Sequence, residues 1–98
     1  MEVHFDHGEN FTIRLIGRLD TVTSQEVAAQ IEKQEITEPV VIVEAKDIEY
    51  ISSAGLRLLL TLKKNLSSQN KSLEIHNLND VNKEIFKVTG FINILDVK

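Results

Sequence analysis

Two adjacent hydroxyls, Ser52 and Ser53, stand between a strand-like run and the most apolar helix-like run of the chain. Ala54 and Gly55 follow, small enough for another surface to approach the backbone closely. Leu56-Arg57-Leu58-Leu59-Leu60 then opens a helix with apolar side chains nearly all round, the mark of a helix buried on more than one side. Ser53 reads as the N-cap of that helix, its hydroxyl accepting a hydrogen bond from a first-turn amide. On its own, a Ser-Ser pair ahead of a leucine run is a turn and a cap. The same place offers a second chemistry, because free amides and the positive end of a helix dipole favour a phosphate. A phosphoserine adds roughly −1.5 to −2 charges at neutral pH. On a docking surface, that charge switches a partner off without unfolding anything.

Other reactive constellations are missing. His4, His7 and His76 are scattered, and no carboxylate motif completes a metal site around them. Asp20, Glu44, Asp47 and Glu49 could gather near the serine corner, although solvated loop charge is the simpler reading. There is no Gly-x-Gly-x-x-Gly, no phosphate-cradling Gly-Lys-Ser loop, and no Gly-x-Ser-x-Gly elbow that would make a nucleophile of either serine. The expectation is a protein that is not an enzyme and holds no cofactor or metal. Asp20 closes the run Gly17-Arg18-Leu19-Asp20, where an acid both ends a strand and helps start the next helix. Arg57, one turn into its helix, is either a solvated charge or part of a docking face.

Composition narrows the class further. With 98 residues, 42% of them hydrophobic, the chain has room for one core and no second domain. Its net charge of −4, without a basic stripe, argues against direct binding of nucleic acid. The absence of cysteine removes disulfides, thiol nucleophiles and thiolate metal sites, and fits a reducing compartment. The opening residues carry neither the basic patch nor the apolar core of a signal peptide, and no apolar run is long enough to span a bilayer, so a cytoplasmic location is expected.

The elements that must position the serines follow from periodicity. Val3-His4-Phe5 reads as a strand, His7 to Asn10 as a turn with Gly8 or Asn10 at positive φ, and Phe11 to Ile16 alternates as a half-buried strand, together an antiparallel hairpin. Gly17-Arg18-Leu19-Asp20 ends it, leaving an Arg and an Asp on an exposed corner. Thr23-Ser24-Gln25-Glu26 is a capping-box pattern for a helix that runs to about Glu35, with Val27, Ala28 and Ile31 on one face. Pro39 precedes Val40-Val41-Ile42-Val43, a continuous β-branched run that predicts a central strand covered on both faces. After the leucine-rich helix, Leu73-Glu74-Ile75-His76 alternates as a strand, reached by a parallel crossover. Asn79 or Asp80 caps a further helix with apolar Val81, Ile85, Phe86 and Val88, and Gly90 stops it. The remaining residues form a short helix or a final strand. The order predicts a mixed sheet with a parallel centre and helices packed on it, and sites in such sheets gather beyond the carboxyl ends of the strands, where Ser52 and Ser53 fall.

The run Tyr50-Ile51-Ser52-Ser53-Ala54-Gly55-Leu56-Arg57, preceded by Gly17-Arg18-Leu19-Asp20 and Val40-Val41-Ile42-Val43-Glu44, resembles a STAS domain of the bacterial anti-sigma factor antagonist group over nearly the whole chain. The resemblance implies one α/β STAS domain over residues 1–98, with a mixed four- to five-stranded sheet. It also implies a partner switch: the unphosphorylated antagonist binds an anti-sigma factor kinase, a histidine-kinase-like ATPase, and so frees a sigma factor, while a serine phosphatase reverses the modification. Asp20, Ser52, Ser53, Ala54, Gly55 and Arg57 fall at the partner-binding positions. The chain departs from the family pattern in one place. Asp-Ser-Ser-Gly or Asp-Ser-Thr-Gly carries the phosphate just before the glycine, and that residue here is Ala54. Ser53, with Ser52 as the alternative, then takes the role of phosphoacceptor. Otherwise the chain resembles a non-phosphorylated STAS scaffold, an accessory subunit of a transport ATPase or signalling complex. A third reading is a small-ligand or nucleotide domain that uses the helix N-terminus at Ser53-Ala54-Gly55. A monomer and a weak dimer both fit.

Overall fold

A computed structural model describes residues 1–98. Strands β1 (Glu2–Asp6) and β2 (Phe11–Leu19) form the antiparallel hairpin, with Phe5 opposite Ile13 and Val3 opposite Leu15. Helix α1 (Thr21–Glu32) leads to β3 (Val40–Glu44), which lies parallel to β2. Strand β4 (Ile48–Ile51) precedes helix α2 (Ser53–Ser67), and β5 (Ser72–His76) returns parallel to β3. Helix α3 (Asp80–Val88), a 3-10 turn at Phe91–Asn93 and the two-residue β6 (Asp96–Val97) complete the chain. The sheet order is β1-β2-β3-β5-β6, with β4 joined to the far end of β2.

The sheet therefore has six strands, one or two more than the four or five expected. The additional pair, β4 and β6, are the shortest strands with too few residues to show a period. Gly17 explains how one strand serves two partners. Arg14 is the last β2 residue opposite β3, and from Gly17 onward β2 pairs with β4, with a register shift between Gly17 and Arg18. Gly17 sits at φ +118, open to glycine and strained for other residues. The Gly-Arg-Leu-Asp run thus continues the strand rather than ending it, and Leu19 is fully buried.

One face of the sheet carries the core. Phe11, Ile13 and Leu15 of β2, Val41 and Val43 of β3, and Leu73 and Ile75 of β5 all point to it, meeting Val27 of α1, Leu56, Leu59, Leu62 and Leu66 of α2, and Phe86 of α3. Each such side chain contributes about 1.5 to 3 kcal/mol on burial, so α2 is the principal lid of the sheet. Val40 and Ile42 are only half-buried, so β3 is central yet covered on one face. Its unbroken β-branched run reflects the preference of such side chains for a pleated surface more than two-sided burial.

The ends of the strands opposite the serine corner are fastened by Glu38. Its buried carboxylate accepts hydrogen bonds from the amides of Gly8 (3.1 Å) and Thr37 (3.2 Å) and from the His7 ring (2.9 Å), tying the hairpin turn to the start of β3. Burial pushes this carboxyl up, but its own amide, that of Gly8 and the His7 ring outweigh it and hold the pKa at about 2. Neither Gly8 nor Asn10 takes a positive φ, since the turn is held by this carboxylate instead.

Candidate functional site

Strands β2 and β4 run parallel and stop together, with Leu19 opposite Ile51. Asp20 and Ser52 therefore leave the same edge of the sheet side by side, and each caps a helix. The Ser52 amide donates to the Leu19 carbonyl at 2.9 Å, joining the two exits.

Asp20 is the N-cap of α1. Its carboxylate accepts from the amides of Val22 (3.1 Å) and Thr23 (3.0 Å), and the Thr23 hydroxyl accepts from the Asp20 amide (2.9 Å), a reciprocal capping box. The Thr23 amide is the main cause of a carboxyl pKa below the ordinary value. The Thr23 hydroxyl, the Val22 amide and the Arg18 charge add to it, and together they outweigh partial burial. The box thus begins at Asp20 rather than at Thr23, and the helix stops at Glu32 rather than Glu35.

Ser52, not Ser53, is the N-cap of α2. Its hydroxyl accepts from the Gly55 amide at 3.3 Å. Ser53 is the first helical residue and is exposed, and its hydroxyl has no hydrogen-bond partner. The chain reaches helical geometry one residue later than the cap because Ser52 is still extended, at φ −81 and ψ 175, as it leaves the β4 ladder. Ala54 is half-buried and Gly55 fully so. A Cβ on Gly55 would lie 2.9 Å from the Leu19 carbonyl oxygen and 2.9 Å from the Ile51 side chain, so only glycine lets α2 start this close to both strand ends. Arg57 is exposed and makes no ion pair or hydrogen bond.

The outer edge of β4 is completed by asparagine side chains. Asn82 of α3, fully buried, accepts from the Ile51 amide and donates to the Ile48 carbonyl, both at 3.0 Å. Asn79, the N-cap of α3, also donates to the Ile48 carbonyl at 3.1 Å. On the β2 side of the same strand, Arg18 stacks over the Tyr50 ring, 4.9 Å from its centroid. A shallow cleft between α1 and α2 opens beside the corner, lined by Thr21, Ser24, Gln25, Ala28, Ala54, Arg57, Leu58 and Thr61.

The structure brings Asp20, Ser52, Ser53, Ala54, Gly55 and Arg57 to this one edge. It separates the other acidic residues: Asp47 pairs with Arg14 at 2.9 Å, and Glu44 takes hydrogen bonds from Asn77. The histidines lie apart, each beside a different carboxylate, His4 with Glu2, His7 with Glu38 and His76 with Glu74. The sequence reading missed Asn82 and placed Val81 and Val88 on the apolar face of α3, whereas both are exposed and the buried positions are Asn82 and Phe86. The signal was present: Asn82 stands four residues before Phe86, on the same helical face.

A family model described as the STAS domain matches residues 2–98. BtrV of Bordetella bronchiseptica, which bears the name of an anti-sigma factor antagonist, is 36% identical over 72 residues, 74% of this chain. This chain spans 60% of the length of BtrV. The anti-sigma-B factor antagonist of Listeria monocytogenes is 24% identical over 91 residues, covering 92% of this chain and 80% of that protein. Among solved structures, the anti-sigma factor antagonist SpoIIAA in its unphosphorylated form superposes with a TM-score of 0.82 at 18% identity, over 99% of this chain and 88% of that one.

Proposed function

This chain belongs to the STAS domain family, and on that premise we propose that it is an anti-sigma factor antagonist that docks on an anti-sigma kinase through the edge where α1 and α2 begin, and that phosphate on Ser53 releases it. The observation that carries the reading is the contrast between the two serines. The Ser52 hydroxyl is engaged in capping α2, while the Ser53 hydroxyl is exposed and free at the first helical position, where the amides of Ser53 and Ala54 have no acceptor within the helix. Phosphate there adds about −1.5 to −2 charges and a hydration shell to the surface that a partner must desolvate. Ser52 is the alternative acceptor, at the cost of its cap.

In this reading the chain is a substrate rather than an enzyme. The kinase is a histidine-kinase-like ATPase, a serine phosphatase restores docking, and the exchange takes place in the cytoplasm. No helix of the structure is long and apolar enough to cross a membrane. A second reading rests on Ala54, whose methyl group stands immediately before Gly55 where the family pattern has its hydroxyl; it makes the chain an unmodified scaffold subunit.

Phosphosite mass spectrometry on protein purified from its own cells separates the two. Phosphate on Ser53 supports the switch, phosphate on Ser52 alone moves its site, and unmodified serines in cells with an active kinase partner favour the scaffold. Calorimetry adds a second arm. Ser53→Asp is expected to weaken kinase binding and Ser53→Ala to bind constitutively, and equal affinities would sink the switch.

A further inference from the structure

We propose that a phosphate on Ser53 is held by Arg57, so that modification captures the free cation of the docking edge as well as adding negative charge to it. The inference rests on the Ser53 reading above. Ser53 and Arg57 are the first and fifth residues of α2, four apart and therefore on one face of the helix, with the acid on the N-terminal side of the base, the favourable order for such a pair. The chain has three arginines, and the other two are committed. Arg14 pairs with Asp47 at 2.9 Å and Arg18 lies over Tyr50, whereas Arg57 has no partner.

No carboxylate pairs with Arg57, and that of Asp20 on the same edge is engaged with the amides of Val22 and Thr23. Arg57 borders the cleft between α1 and α2, and the cleft wall contains no carboxylate. Ser24 in that wall is only 7% exposed, and its hydroxyl has no hydrogen-bond partner in the unmodified protein, so the polar groups here are not already spent on one another. A guanidinium offers a planar fork of donors that matches two phosphate oxygens, and the helix amides at Ser53 and Ala54 add donors from the other side. Phosphorylation then does two things at one site. It places charge where a partner approaches, and it folds Arg57 back onto its own helix, where it no longer reaches a partner's carboxylate or carbonyl.

The test uses full-length chain with phosphoserine encoded genetically at position 53, so it reads the pair whether or not the proposed kinase exists. Titration of the phosphate by 31P NMR at low salt is expected to give a second ionisation about 0.2 to 0.4 of a pH unit lower in the wild type than in Arg57→Gln, the size of an exposed pair at this spacing. Arg57→Lys should retain part of the shift, and high salt should shrink it. In the wild type, the Arg57 Nε resonance should move on phosphorylation and exchange more slowly with water. Equal phosphate titrations in wild type and Arg57→Gln, or an unmoved Nε signal, would overturn the proposal. Circular dichroism of both variants shows whether α2 is intact, so loss of the helix is not mistaken for loss of the pair. Absence of phosphate from both Ser52 and Ser53 in cells with an active kinase partner would overturn the partner switch instead, and leaves this titration to decide the pair by itself.

Discussion

Asn82 on α3 completes the hydrogen bonding of Ile51 at the end of β4: its side-chain oxygen accepts from the Ile51 amide at 3.0 Å, while its nitrogen donates to the Ile48 carbonyl at the same distance. A single amide side chain thus substitutes for a neighbouring strand. Because Ile51 immediately precedes the cap of α2, the third helix fixes where the second begins.

Replacing Asn82 with Ala leaves the buried Ile51 amide without an acceptor, while the Ile48 carbonyl loses one of its two asparagine donors and keeps the bond from Asn79. With one buried amide left unmet, Asn82→Ala should cost roughly 1 to 3 kcal/mol by urea denaturation. Asn82→Leu should cost a similar amount despite restoring apolar volume. A loss below about 0.5 kcal/mol, the range of ordinary surface changes, would show that β4 does not depend on this side chain.

Gly55→Ala should be destabilising, against the usual gain of about 1 kcal/mol for replacing a helical glycine. The new methyl would meet the Leu19 carbonyl oxygen and the Ile51 side chain at 2.9 Å each, and the first of these is backbone. Overpacking of this kind costs about 1 to 3 kcal/mol. Thermal denaturation measures the sign directly, and a rise in Tm would contradict the close approach of α2 to the strand ends.

The two serines separate by stability as well as by chemistry. Ser52→Ala removes the α2 cap and should cost about 1 kcal/mol, while Ser53→Ala removes an unbonded hydroxyl and should lie within about 0.5 kcal/mol of wild type. Denaturant midpoints of the two single variants test this without any partner present. The reverse ranking would place the cap at Ser53.

Glu38 gives the fold an acid-sensitive fastening. Its folded-state pKa of about 2 lies below its ordinary 4.5, so it contributes stability that is complete above 4.5 and is lost as pH falls from there toward 2. Glu38→Gln should abolish this part of the pH dependence. The gap in denaturant midpoint between wild type and variant should be largest at neutral pH and narrow steadily on acidification through that window. A gap independent of pH would mean that the carboxylate's charge is immaterial to the hairpin turn.

Much of this architecture was legible in the sequence because it rests on period and on cap chemistry. The alternation of Phe11, Ile13 and Leu15, the β-branched run from Val40, and the serines ahead of Leu56 each carry a local signal that the structure keeps. Strand β4 was not legible. Four residues, Ile48-Glu49-Tyr50-Ile51, are too few to show a period, and their strand character depends on pairing with Leu19 and on Asn82, both distant in sequence. The caps were placed one or more residues late for a related reason. Thr23 and Ser53 are good capping residues in isolation, but the strand exits at Leu19 and Ile51 decide where the chain becomes free to turn into a helix, and this assigns the role to Asp20 and Ser52. The two-sided burial expected of β3 failed because β-branched residues report a pleated surface, whichever faces are covered.

The dependence of β4 on Asn82 also sets an order in time. A ribosome delivers the hairpin, α1, β3 and both serines well before it delivers α3, and until then the outer edge of β4 has no partner for the Ile51 amide or the Ile48 carbonyl. The edge where α1 and α2 begin therefore matures only as the last fifth of the chain emerges. A nascent chain halted before Asn82 would carry Ser53 just past an unfinished strand, with no fixed start for α2.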